Sequence, residues 1–149
     1  MRAVVQRVSS ASVSVDGEVI GQIGRGLMVL VAASKDSTDD QAKKLADRVA
    51  GLRIFNDGDG KMNLALKDLA PSDQPEVLVV SQFTLYGDVW ASRRPSFMKS
   101  AGYEDGERLY EAFVDELRGI VNGVATGQFG AMMEVSLVND GPVTLIIDC

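Results

Sequence analysis

Ser81-Gln82-Phe83-Thr84 places two hydroxyls and a carboxamide within four residues, and the 149-residue chain that holds them contains no histidine. A hydroxyl is a weak nucleophile until a base takes its proton. Without an imidazole, a Ser-His-Asp triad, a Cys-His pair and a His-ligated metal site are all excluded. No residue near Thr84 in sequence is an obvious base. Three further stretches carry candidate chemistry. Gly127-Gln128-Phe129-Gly130-Ala131-Met132-Met133 mixes glycines with an aromatic ring and two thioethers, a combination that serves either core packing or contact with a flat ring such as a nucleobase. Ser92-Arg93-Arg94-Pro95 is the compact basic cluster of the chain, either a solvated loop or a holder of phosphate oxygens. Asn139-Asp140-Gly141-Pro142 reads as a turn, because Asp-Gly bends a chain and Pro fixes φ.

Around these residues the pattern is mostly of strands. Arg2 to Val8 and Ala11 to Val15 alternate, Asp16-Gly17 marks a hairpin, and Glu18 to Ile23 returns. Leu27 to Ala33 is apolar on both faces and predicts a central strand. Ser37 is placed to cap a helix with Asp39 and Asp40 in its first turn and Ala42, Leu45, Ala46 and Val49 along one stripe, ending near Gly51. Leu52 to Phe55 predicts a short strand. Asn56 to Lys61 superficially resembles a calcium loop, but Lys61 and Met62 stand where a ligand and the obligatory Gly belong, so a plain turn is expected. Pro71 and Pro75 bracket a polar connection.

Val77 to Leu85 then predicts a strand whose period of two turns Gln82 and Thr84 to one side. Periodicity allows either a strand that runs into a cleft or one that merely surfaces at its end. Asp105 is placed to cap a second helix, with Leu109, Ala112, Phe113, Leu117, Ile120 and Val121 on one face and a stop at Asn122-Gly123. Met133 to Val138 and Val143 to Ile147 flank the Asn139–Pro142 turn. The expected fold class is α+β, with two main helices covering curved antiparallel sheets in one domain spanning residues 1–149.

Composition bounds the setting. No apolar run approaches the roughly 20 residues that span a bilayer, so no membrane is expected. One cysteine, Cys149, forms no internal disulfide and suits a reducing compartment, with the cytoplasm as default. A net charge of -6 argues against tight non-specific nucleic-acid binding, so any RNA contact should be local.

Met1 to Val8, Leu52-Arg53-Ile54-Phe55, Ser81-Gln82-Phe83-Thr84-Leu85, Arg93-Arg94-Pro95-Ser96-Phe97 and Asn139-Asp140-Gly141-Pro142-Val143-Thr144 together resemble the D-aminoacyl-tRNA deacylase family over essentially the whole chain. The resemblance implies a barrel-like fold in β/β/α layers and a homodimer. Each active site would take Ser81, Gln82, Phe83 and Thr84 from one subunit and Gly141-Pro142, joined by a cis bond, from the other. Main-chain carbonyls would then sit where an L side chain projects, so that selection works by exclusion and glycine is partly accepted. The ribose hydroxyl beside an aminoacyl ester can assist hydrolysis, which leaves the protein to position and polarise. Backbone N–H groups near Phe83 and Thr84 are expected to bind the oxyanion, with Thr84 a positioning residue.

Phe129 and Met133 match family positions that resemble a pocket for the terminal adenine, and Arg93 and Arg94 are candidates for nearby phosphates. The implied partner is the 3′ end of aminoacyl-tRNA, with no DNA, metal or cofactor. A dimeric module that binds a nucleotide or amino acid without turnover remains the competing reading, and a purely structural subunit a third.

Overall fold

A 14-residue strand, β1 (Arg2–Val15), organises the molecule. The computed structural model describes residues 1–69 and 76–149, so the Pro71–Pro75 connection lies outside the described residues. A hairpin through Asp16 and Gly17, both at positive φ, turns β1 into β2 (Glu18–Ile23). β3 (Gly26–Ala32) pairs antiparallel with the first half of β1, in register Val5 to Val29, and β2 pairs with its second half. The two segments expected as Arg2–Val8 and Ala11–Val15 are therefore one strand.

β6 (Glu76–Ser81) lies beside β3, and β7 (Val124–Thr126) beside β6, both parallel, so the curved sheet is mixed. β8 (Glu134–Asp148) runs antiparallel along the other side of β1. Gly21 of β2 comes so close to β7 that an added Cβ would stand 2.8 Å from the Thr126 carbonyl oxygen; this approach nearly closes the sheet into a barrel.

Two helices cover it. α1 (Asp39–Ala50) is capped by Thr38, whose hydroxyl accepts from Gln41 N–H while the Gln41 side chain accepts from Thr38 N–H, a reciprocal box. Ser37, the expected cap, instead accepts from Ser34 N–H. α2 (Tyr103–Ile120) starts after Gly102, and Asp105 sits inside its first turn, where a carboxylate favours the helix dipole without capping it. Both helices bury one stripe: Leu45 and Val49 of α1, Leu109, Phe113 and Leu117 of α2.

These side chains meet Leu27, Val29, Val77 and Val79 from the sheet's outer face, while Met28, Leu78 and Val80 fill its inner side with Val8 and Val13. Burial on both faces is why β3 and the first part of β6 read as unbroken apolar runs. Truncating Phe113, wholly buried at the helix–sheet junction, should cost about 3–5 kcal/mol.

The expected strand at Leu52–Phe55 is displaced to β4 (Phe55–Asn56), which pairs with β5 (Met62–Leu64). Asp57 holds the turn between them by accepting from the Asp59 and Lys61 N–H groups and the Asn63 carboxamide. Among the described residues no helix is long and apolar enough to cross a membrane.

Candidate active site

A cavity of about 610 Å³ opens where β3, β6 and the start of α2 converge. Its rim is the segment after β6. The strand stops at Ser81, earlier than the period of two suggests: Gln82 N–H still donates to Val31 C=O at 2.9 Å, but Gln82 adopts φ -146, ψ 77 and leaves the ladder. Phe83–Tyr86 then form a 3₁₀ turn closed by Leu85 N–H to Gln82 C=O and Gly87 N–H to Thr84 C=O. The first N–H groups of a helical turn have no acceptor behind them. Here they belong to Phe83 and Thr84, and neither donates in any hydrogen bond among the described residues. Gln82 and Thr84 still meet, through a carboxamide-to-hydroxyl hydrogen bond of 2.5 Å, although they no longer alternate along a strand.

The turn is fixed from three sides. Ser100 Oγ donates to the Phe83 carbonyl at 2.9 Å, and the Phe83 and Phe97 rings meet edge to face with centroids 5.2 Å apart. Arg2 donates to the Leu85 carbonyl at 3.0 Å while its guanidinium pairs with Asp148 at 2.7 Å; that hydrogen bond holds the Asp148 carboxyl below the usual carboxylate range. A residue from each end of the chain thus braces the rim.

The remaining wall is apolar and aromatic: Tyr103, Tyr110, Phe129, Met132 and Met133 among others. Phe129 packs edge to face on Tyr103 at 5.2 Å and tilted on Tyr110 at 5.7 Å. Tyr110 is buried and donates to the Val79 carbonyl at 3.0 Å, and burial pushes its phenol up to about 12. It is therefore a neutral donor at any physiological pH. Gly130 has φ +74, and a Cβ there would stand 2.8 Å from the Tyr103 hydroxyl, so this position admits the ring only because it lacks a side chain.

Ser81, Gln82, Phe83, Thr84, Phe129 and Met133 all line this one cavity. Tyr103 and Tyr110, which sequence reasoning did not single out, line it too; an aromatic four residues from Gly106 on a helix face was the available signal.

Gly141 and Pro142 lie outside the cavity, exposed, and do not form a turn between strands. β8 continues past them in one direction, with Thr144 opposite Gln6 and Asn139 opposite Val8, so residues 140–143 form a bulge opposite Arg7, with Val143 turned into the core. The Gly141–Pro142 peptide is cis. Arg7, only 7% exposed, anchors the bulge: its Nε lies 3.0 Å from the Asp140 carboxylate and donates to the Asp140 carbonyl at 3.3 Å, and its Nη1 donates to Ile54 C=O. Asn139 donates across the neck to the carbonyls of Arg7 at 2.9 Å and Val143 at 3.1 Å. Arg93 and Arg94 are likewise exposed and outside the cavity. Among the described residues no group of three or more His, Cys, Asp or Glu is placed to hold a metal ion.

Residues 4–148 match the family model described as D-Tyr-tRNA(Tyr) deacylase. Proteins named D-aminoacyl-tRNA deacylase from Thermotoga petrophila and Fervidobacterium nodosum are 55% and 53% identical to the chain, each over 99% of it and 97% of their own length. Among solved structures, one described as c-Myc DNA Unwinding Element Binding Protein superposes with a TM-score of 0.92 at 39% identity, covering 100% of this chain and 99% of that one. Another, described as a probable eukaryotic D-amino acid tRNA deacylase, shares the fold with a TM-score of 0.79 at 20% identity, over 99% of this chain and 98% of the other.

Proposed function

Because the chain belongs to the D-Tyr-tRNA(Tyr) deacylase family, we propose that its cavity hydrolyses the ester of D-aminoacyl-tRNA, releasing the free amino acid and tRNA as a step of translation quality control in the cytoplasm. Water adds to the ester carbonyl, the carbonyl oxygen takes up negative charge, and the ribose oxygen leaves with a proton. The observation that carries the reading is the pair of unengaged N–H groups on Phe83 and Thr84 at the rim, beside a wall suited to a purine. Donors aimed at a developing oxyanion contribute about 10²- to 10³-fold each to rate. Thr84 and Gln82, bonded to each other, orient the aminoacyl group. The neighbouring ribose hydroxyl assists, and Phe129 and Met133 receive the terminal adenine.

The rejection of L-aminoacyl esters falls to Gly141 and Pro142 of a second subunit, whose carbonyls occupy the space an L side chain requires. The exposure of this tip and its anchorage by Arg7 and Asn139 support the assignment. So do Leu137, Val138, Leu145 and Ile146 of β8, large apolar side chains left exposed as those awaiting a homodimer partner would be. Glycine has no side chain to exclude and is accepted in part. Arg93 and Arg94 contact phosphates near the 3′ end.

The test is incubation of purified protein with D-tyrosyl-, L-tyrosyl- and glycyl-tRNA, with and without chelator. Loss of the D ester and slower loss of the glycyl ester, unaffected by chelator, is expected. Binding of all three without hydrolysis would make the protein a non-catalytic module instead.

A further inference from the structure

The chain's single tryptophan stands almost wholly outside the protein: Trp90 is 95% exposed, at the outer end of the loop between Gly87 and Ser100. An indole left in water at a loop tip contributes nothing to the core, yet this loop is built to hold its shape. Asp88 and Ser96 exchange backbone hydrogen bonds of 2.8 and 2.9 Å across its base. The Asp88 carboxylate pairs with Lys99 at 3.0 Å and accepts from Trp90 N–H at 3.1 Å, which fixes the backbone that carries the indole. Arg94 N–H donates to Ser92 Oγ at 3.1 Å.

Asp88, the loop's acidic residue, is thus occupied by Lys99, while the guanidinium groups of Arg93 and Arg94 make no ion pair among the described residues. On a chain of net charge -6 this is a local positive spot beside a bare aromatic face. Both ends of the loop are part of the site's scaffold: it leaves the 3₁₀ turn at Gly87 and returns through Phe97, packed on Phe83, and Ser100, bonded to the Phe83 carbonyl.

Resting on the reading of the cavity as a site for aminoacyl-tRNA, we infer that this loop is an RNA-docking arm. Trp90 stacks on an exposed base at the acceptor end, outside the terminal adenine pocket, and Arg93 and Arg94 hold the adjoining backbone. An aromatic face with neighbouring cations is the combination that binds nucleic acid without reading its sequence, because every base offers a π-face and every link a phosphate. The same arm on an otherwise acidic protein confines the grip to one end of the RNA.

Because Trp90 is the chain's one tryptophan, its emission reports the arm directly. Titration of the full-length protein with deacylated tRNA should quench that emission, and the Arg93→Ala/Arg94→Ala variant should lower the slope of log affinity against log salt by about 1–2, as expected for two phosphates. Trp90→Ala should raise KM for D-tyrosyl-tRNA about ten-fold or more with kcat little changed, and leave hydrolysis of D-tyrosyl-adenosine, which has no acceptor stem, at the wild-type rate. Unchanged emission at saturating tRNA would overturn the inference. So would equal losses on both esters, or a change in oligomer mass in Trp90→Ala, which would mark the indole as a protein contact. If wild-type protein left D-tyrosyl-tRNA intact, the functional reading would fall, and the fluorescence titration would still decide the arm.

Discussion

Two segments of this molecule interrupt a regular strand, and they do it in opposite ways. At Ser81 the strand ends: the backbone leaves the ladder and winds into a 3₁₀ turn whose Phe83 and Thr84, with unengaged N–H groups, line a cavity within their own chain. At Asn139 the strand does not end. β8 keeps its pairing with β1 on both sides of residues 140–143, and these residues, held by Arg7 and Asn139, do not line that cavity. The first arrangement offers donors and the second offers a rigid obstacle. On the proposed reading the two are halves of one site, with the obstacle of one subunit closing the cavity of another.

The sharpest way to break the comparison is to silence the donor half. Phe83→Pro removes the Phe83 N–H at the first position of a helical turn, which proline tolerates. It is expected to lower kcat on D-tyrosyl-tRNA about 10²- to 10³-fold, whereas Phe83→Ala, which keeps the N–H and loses only ring packing, should cost far less. Equal losses in both would assign the effect to the ring.

The obstacle half is loosened next. Arg7→Met keeps a long apolar stem and removes every donor, leaving the Ile54 and Asp140 carbonyls without Arg7. A drop of about 1–3 kcal/mol in stability by urea unfolding is expected, with L-tyrosyl-tRNA hydrolysis rising at least about ten-fold while hydrolysis of the D ester persists. Unchanged discrimination would detach Arg7 from selection.

Thr84→Ala should reduce kcat by less than about ten-fold if the hydroxyl only positions; a loss of several orders of magnitude would make it the nucleophile. The smallest effect is expected at Tyr110. Its phenol is held protonated up to about 12 against an ordinary value near 10, so the stability this contributes is fully present below pH 10 and is lost as pH rises toward 12. Tyr110→Phe should flatten that alkaline decline and cost under about 1 kcal/mol at neutral pH, because the Val79 carbonyl also accepts from Gly127 N–H at 3.0 Å.

Much of the framework was legible from local signals. Asp16-Gly17 turned as its type requires, the doubly apolar run at Leu27 became an interior strand, and the helical stripes of α1 and α2 faced the sheet. What escaped depended on partners distant in sequence. β6 parts from β3 after the Val31–Ser81 pair, where Gln82 leaves the ladder, and nothing in the alternation from Val77 to Leu85 encodes that. Asn139-Asp140-Gly141-Pro142 has the composition of a hairpin turn, yet β1 is long enough to pair with both flanks of it, and pairing overrode the turn chemistry. β7, three residues long, exists only because β6 offers it an edge. The grouping of Gln82, Thr84, Phe129 and Met133 around one cavity matches residues singled out from the sequence, but Tyr103 and Tyr110 reach it through the placement of α2.

The proposed division of labour between subunits is tested with mixed dimers. Arg7→Met/Asn139→Ala protein, with an intact donor half and a dislodged tip, should hydrolyse L-tyrosyl-tRNA; co-expressed with excess Phe83→Pro, whose donor half is silenced and whose tip is intact, it should lose that activity and keep hydrolysing the D ester. An inactive partner would thereby restore handedness. Hydrolysis of the L ester that persists undiminished in the mixed dimers would show that the tip acts on its own subunit, or not at all.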